Sequence, residues 1–276
     1  MIRLALFCIL LAPMAQAGEI SLAALSDLPP ADVVFLGEIH DNPLHHKGQA
    51  RAVAAIHPPA VVFEMLSPTQ AARITPALLR DRDALQQALG WNASGWPDFA
   101  IYYPVFQALG GARVYGAARP RAAVRRAFEE GAAAVFGPGA GRLGLDRPLP
   151  SAELAAREDE QFQDHCEAMP RDLMGGMVEA QRLRDADLAQ AALTALSETG
   201  GPVVVITGKG HARRDWGAPA LLRVAAPERR LLTVGFLEHA PEAPPPFDFW
   251  VVTDPTLRED PCKAFAKPAA GASGSG

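Results

Sequence analysis

Two short segments of this chain combine the same residue types in the same order. Gly37-Glu38-Ile39-His40 follows the apolar run Val33-Val34-Phe35-Leu36, and Gly208-Lys209-Gly210-His211 follows Val203-Val204-Val205-Ile206-Thr207. Each is a β-branched run, a glycine turn and a histidine, which reads as a buried strand and the turn that ends it. If the two strands lie parallel in one sheet, both histidines emerge at its carboxyl edge, where open α/β sheets bind ligands. Two imidazoles and a carboxylate would then meet in one crevice, a pattern that suits a metal or an iron cofactor. Glu64 ends a third apolar run, Val61-Val62-Phe63-Glu64-Met65. A carboxylate there is costly to bury unpaired, so it either reaches solvent or pairs with a cation or metal at the same edge. On the metal reading His40, Glu64 and His211 are ligands and Glu38 is the general base.

Further candidates flank these segments. Asn42 and Pro43 suit an N-cap and first helical turn, opening a helix to about Ile56 that carries His45, His46 and Gln49. A single histidine there would read as structural; three beside Glu38 favour a site. Arg119 and Arg121 follow a strand end, where they could hold a carboxylate or phosphate or pair with Glu38 or Glu64. The long helix from about Asp172 places Gln181 and Asp185 on its apolar stripe, either lining the site or positioning Arg184 or a histidine. Arg213 follows His211 closely. Tyr102 and Tyr103 begin a helical stretch that could reach the crevice, and Tyr103 is a candidate because a phenolate can ligate haem iron. There is no P-loop and no GxSxG elbow, and Gly208-x-Gly210 lacks the rest of a dinucleotide fingerprint.

These residues need a sheet to carry them. Strands are expected at Asp32–Leu36, Ala60–Met65, Ala112–Ala117, Pro202–Thr207, Leu231–Leu237 and Phe247–Val252, mostly separated by helical segments. The order argues for an α/β fold with a mostly parallel central sheet and helices on both faces. Only a Pro-rich loop separates the last two strands, so an antiparallel C-terminal edge is an option. Residues 121–199 read as a helical insertion within a single domain spanning 18–266, and 267–276, rich in Ala, Gly and Ser, as a disordered tail.

Residues 1–17 resemble a secretory signal: Arg3, an apolar stretch from Leu4 to Leu11 too short to span a bilayer, and Ala15-Gln16-Ala17 before the cut. Phe7 before Cys8 makes a poor lipoprotein site. The expectation is a periplasmic or secreted protein without a lipid anchor. Its mature chain would carry 25 basic and 31 acidic residues, a net charge of about −6, and it has no basic run with interleaved aromatics that would suit nucleic acid. Cleavage would leave Cys166 and Cys262, an even pair in polar surroundings that suits a disulfide.

Taken together, Gly37-Glu38-Ile39-His40-Asp41-Asn42-Pro43, His45-His46-x-x-Gln49, Phe63-Glu64-Met65, Gln181-x-x-Arg184-Asp185 and Gly208-x-Gly210-His211-x-Arg213 resemble the ChaN-like family. That family lies in the haem-binding uptake and Tiki-like superfamily, with the erythromycin-esterase-like and TraB-like proteins. The resemblance implies haem binding linked to iron acquisition, with dimerisation around haem and contact with a haem-uptake system as family options. Across the superfamily the positions matching Glu38, His40, Glu64 and His211 also serve metal-dependent peptidase or ester-hydrolase chemistry. A divalent zinc, manganese or iron ion is therefore the alternative to haem.

Overall fold

The computed structural model describes residues 17–260 and 262–263. The signal segment up to residue 16 and the tail beyond Lys263 lie outside the described residues. In chain order the strands are β1 Gly18–Glu19, β2 Val33–Glu38, β3 Ala60–Phe63, β4 Arg113–Gly116, β5 Val203–Gly208, β6 Leu231–Leu237 and β7 Phe249–Val252. The helices are α1 Pro43–Ile56, α2 Pro68–Ala71, α3 Arg82–Leu89, α4 Phe99–Gln107, α5 Arg121–Glu130, α6 Ala132–Phe136, α7 Ser151–Asp164, α8 Met174–Thr199 and α9 Ala218–Ala225. The strands form one sheet in the order β1-β7-β6-β2-β5-β3-β4, with every pairing parallel.

The central strands are apolar on both sides because both sides are covered. Val33, Phe35, Val62, Val203 and Val205 pack with Leu183, Ala186 and Leu196 of α8 and with α9. The alternate residues Val34, Leu36, Val61, Phe63, Val204 and Ile206 pack with Ala52 and Val53 of α1 and with Phe99, Val105 and Phe106 of α4. Residues 121–199 contribute no strand, as the sequence predicts, and α5 to α8 gather on the face that α9 shares.

The C-terminal edge corrects one expectation. β6 and β7 pair parallel, with Val234 opposite Phe249 and Leu237 opposite Val252. The Pro-rich connection therefore runs back along the sheet, since a tight hairpin turn cannot join two parallel strands. Asp248 fixes the return, accepting hydrogen bonds from Thr233 N (2.8 Å) and Thr233 Oγ1 (2.9 Å). β1 then pairs beyond β7. The opposite edge, β4, is bonded on one side only: Arg113 N and Ala117 N donate to Pro59 O and Phe63 O of the β3 segment. The alternation of a parallel ladder leaves the backbone of Val114 facing outward.

Cys166 and Cys262 form a disulfide with a Cα separation of 5.4 Å across 96 residues. It ties the end of α7 to the segment that follows β7. Replacing Cys262 with Ser removes this loop closure, so urea unfolding of the oxidised protein should show a loss of about 3 to 5 kcal/mol. An unchanged midpoint would mean the bond does not constrain the unfolded chain.

Candidate functional site

Register brings the two glycine–histidine segments together. β2 and β5 are neighbours, with Leu36 opposite Ile206 and Glu38 opposite Gly208. The glycines are required by close approach. A Cβ at Gly37 would lie 2.6 Å from Ala212 Cβ and 2.9 Å from Lys209 Cα, so the second loop rests directly on the first. A Cβ at Gly208 would lie 2.9 Å from His40 Nε2, so the imidazole occupies the space a side chain would take.

Glu38 is buried at the end of β2. Its Oε1 accepts from Tyr102 OH (2.9 Å) and lies 2.9 Å from His40 Nδ1, while its Oε2 is 3.2 Å from His46 Nδ1. Burial would raise its pKa, but the charge of His46 and the hydrogen bonds of His40 and His46 hold it down at about 2. His46 faces acceptors from both ring nitrogens: Gln49 Oε1 (3.1 Å) and Glu38 at Nδ1, and His40 O (2.9 Å) at Nε2. Both nitrogens must therefore carry protons, which agrees with a pKa raised by Glu38 against the opposing effect of burial. Gln49 Nε2 donates to Leu36 O (3.0 Å) and anchors this group to the sheet. Burial and the Glu38 carboxylate push the Tyr102 hydroxyl well above the usual phenol range, so it stays protonated and donates.

A second couple lies across the crevice. His211 Nδ1 is 2.7 Å from Asp185 Oδ1, and its Nε2 is 3.6 Å from Glu64 Oε1. Glu64 Oε2 accepts from Thr207 Oγ1 and Gly208 N, both at 2.7 Å. Burial disfavours charge on all three groups. The carboxylates nevertheless raise the His211 pKa, and His211 with His40 lowers that of Glu64, while burial wins at Asp185 and raises it. The two histidines that face the crevice, His40 and His211, thus have Nδ1 held by a carboxylate. That arrangement fixes the ring and directs Nε2 to a ligand or a reacting proton.

The crevice has a volume of about 480 Å³ and is lined by Glu38, His40, Glu64, Gln181, Arg184, Asp185 and His211, among others. Several expected residues lie elsewhere. His45 is sealed below the floor, where its Nδ1 accepts from Ile39 N (2.9 Å) and its Nε2 lies 3.0 Å from Thr253 Oγ1. His46 and Gln49 are likewise buried beneath the site. Tyr103 donates to Leu79 O (3.1 Å); one residue of helical rotation puts Tyr102, not Tyr103, at Glu38. Arg119 pairs with Asp187 (2.6 Å) and not with Glu38 or Glu64, and Arg121 Nη2 reaches only Ser94 O (3.5 Å). Both arginines line a neighbouring cavity of about 490 Å³ that shares Glu64, Trp96 and Arg184 with the crevice. Arg213 turns to Glu160 (2.6 Å) and Asp215 (2.8 Å) and stacks on Trp216 at 3.6 Å.

Among the described residues, no group of three or more His, Cys, Asp or Glu side chains is arranged to hold a metal ion. His40, Glu64 and His211 share the crevice without forming such a group.

The sequence reading missed one whole wall. Arg157, Glu160, Gln161 and Asp164 line the crevice from one face of α7. Their spacing of three, four and seven residues is the signal that marked them. Trp96, Trp216 and Lys209 complete it. A larger cavity of about 900 Å³ was also missed. It straddles the open edge of β4 between Ile74 and Leu79 on one side and Phe136 and Ala191 on the other, with Tyr115 on its wall.

This chain belongs to the family described as haem-binding uptake, Tiki superfamily, ChaN, whose model matches residues 24–222. The structure of ChaN of Campylobacter jejuni, described as showing cofacial haem binding, superposes with a TM-score of 0.60. The two sequences are 18% identical, and the match covers 82% of this chain and 88% of that one, so the likeness is one of fold. The type III effector HopBA1 aligns with a TM-score of 0.42 at 16% identity over 85% of this chain and 92% of that one. No curated protein matches the sequence. No helix among the described residues is long and apolar enough to cross a membrane.

The buried histidine below the floor makes stability depend on pH. Burial holds His45 at about 4, below its ordinary 6.5. The unfolded chain then binds the proton first, so stability falls as pH drops from about 6.5 to about 4, by about 3 kcal/mol for this group. Urea unfolding at pH 7 and pH 4.5 should show that drop, and His45→Gln should shrink it. An equal drop in the variant would assign the acid sensitivity elsewhere.

Proposed function

We propose that this protein binds haem and serves, after export, in haem or iron uptake. The family supports the ligand; the observation that carries the seat is the apolar groove along β4. Haem is a broad apolar plane with two carboxylates and an open iron. The strand-edge crevice suits it poorly, because it is small and lined mostly by charged and titratable side chains. The groove is nearly twice as large, and alanines, prolines, Ile74, Val114 and Phe136 line it.

Tyr115 is the residue we assign to the iron. Its hydroxyl donates to Glu198 Oε2 (2.9 Å), and the Arg113 guanidinium lies 5.3 Å from its ring centre. Burial and Glu198 raise its pKa while Arg113 opposes them, so ligation would have to displace the Glu198 contact. Arg119, at the end of the groove, would meet a propionate by exchanging Asp187, whose carboxyl burial pushes up to about 6. Bound haem would supply its iron chemistry; the protein supplies the apolar walls, the phenol and the cations. The groove is open on one side, so a second copy of the chain would cover the exposed haem face, and dimerisation is part of the proposal.

Haem titration of the mature protein should give saturable binding with a shifted Soret band, and light scattering should report a dimer only in the loaded form. Tyr115→Phe should lose the ligation spectrum while His40→Ala and His211→Ala retain it. Loss of the band in a histidine variant alone would move the haem to the crevice. No saturable binding by any form would remove the haem reading itself.

A second reading is favoured by the Asp185–His211 contact. A carboxylate-oriented imidazole beside Glu64 is the arrangement of a general acid–base, and hydrolase chemistry at the crevice, with or without a bound metal, is the alternative role.

A further inference from the structure

The crevice holds a feature that neither haem nor the acid–base couples explain. Among the described residues four buried side-chain polar atoms have no hydrogen-bond partner: Glu38 Oε2, Gln161 Oε1, Gln181 Oε1 and Trp250 Nε1. Three of them belong to residues that line this one cavity. Glu38 Oε2 is accounted for by the His46 charge at 3.2 Å. The two glutamines are not. They come from different helices, Gln161 from α7 and Gln181 from α8, and neither side-chain amide bonds to any described residue. Buried polar groups in folded proteins find partners, so two unsatisfied glutamine oxygens beside one cavity ask for a ligand that donates to them.

A carboxamide presents an acceptor and two donors side by side. The group that answers both at once is another amide. The rest of the lining narrows the choice. Trp96, whose ring centre is 4.8 Å from that of His40, and Trp216, which carries the Arg157 guanidinium at 5.2 Å, provide apolar surface. Arg184 and Lys209 are exposed, line the cavity, and have no carboxylate partner among the described residues. They stand free to take an anion. Haem answers this lining badly, since it has no amide and, with its propionates ionised, no donor for the glutamine oxygens.

We propose that the strand-edge crevice is a second ligand site, built for a small molecule that carries an amide beside a carboxylate. The glutamines bind the amide, Arg184 and Lys209 the carboxylate, and the tryptophans the carbon skeleton. Short peptides and N-acylated amino acids share this chemistry. The site is separate from the β4 groove, with which it has no lining residue in common, and it does not rest on the haem reading.

Calorimetric titration of the mature protein with N-acetylglycine, glycylglycine, acetate and acetamide tests this. N-acetylglycine or glycylglycine should bind once per chain, at least about tenfold tighter than acetate or acetamide alone. The tighter of the two assigns an acylated amino acid or a peptide, and either supports the site. Gln181→Leu and, on the other helix, Gln161→Leu should each weaken that binding about tenfold. Both should also raise the melting temperature, since each removes an unpaired buried oxygen. Tyr115→Phe should leave the binding intact, which separates this site from the haem seat. Equal affinity for acetate would remove the amide from the proposal. Unchanged affinity in both glutamine variants, a lowered melting temperature in both, or no saturable binding of either amide would overturn it.

Discussion

The floor of the strand-edge crevice is arranged around one ionised carboxylate kept away from water. Glu38 ends a strand whose every residue is buried, and a bare carboxylate there would be too costly to retain. Three elements answer it: α1 brings His46 as an imidazolium, α4 brings the Tyr102 hydroxyl, and the turn after β2 folds His40 back onto it. Each partner is fixed in turn, His46 by Gln49 and the His40 carbonyl, and Gln49 by the Leu36 carbonyl. The network ties two helices to the sheet as firmly as it orients the histidine above it, so the packing of α1 and α4 and the geometry of His40 answer to the same charge.

The two cavities divide the work of recognition by polarity. Along β4 the lining is made of small apolar residues, and its charged groups are already paired, Arg113 with Glu198 and Arg119 with Asp187. At the strand ends the lining is dense with charge, and α7 faces it with a polar surface of which only Arg157 is buried. An apolar plane and a small polar solute would sort between these surfaces by solvation alone.

What could be read in the sequence follows from what leaves a local signature. Apolar runs closed by glycine announced β2 and β5, and one ended by a carboxylate announced β3; parallel pairing then carried Glu38, His40, Glu64 and His211 to one edge. Asn42-Pro43 announced α1, and its cap forms as expected, with the Asn42 side chain accepting from Leu44 N. Three things were illegible. The choice between Tyr102 and Tyr103 depends on about 100° of helical rotation, which a short apolar helix does not specify. The role of the polar face of α7 was hidden because the residues it meets are also polar, so its spacing alone does not tell a cavity wall from a solvated face. The direction of β7 was set by a contact between Asp248 and Thr233, fifteen residues apart, that no composition reveals.

The disulfide has a consequence for how the chain is finished. Cys166 is made 96 residues before its partner, and α8, β5, α9, β6 and β7 all lie between them. The ring can close only after all of these elements have been made. A chain cut short before Cys262 would keep both glycine–histidine segments and yet leave a thiol exposed at the end of the wall helix. The bond therefore depends on synthesis having passed Cys262: a chain stopped short of it is marked by a free sulfur available for capture.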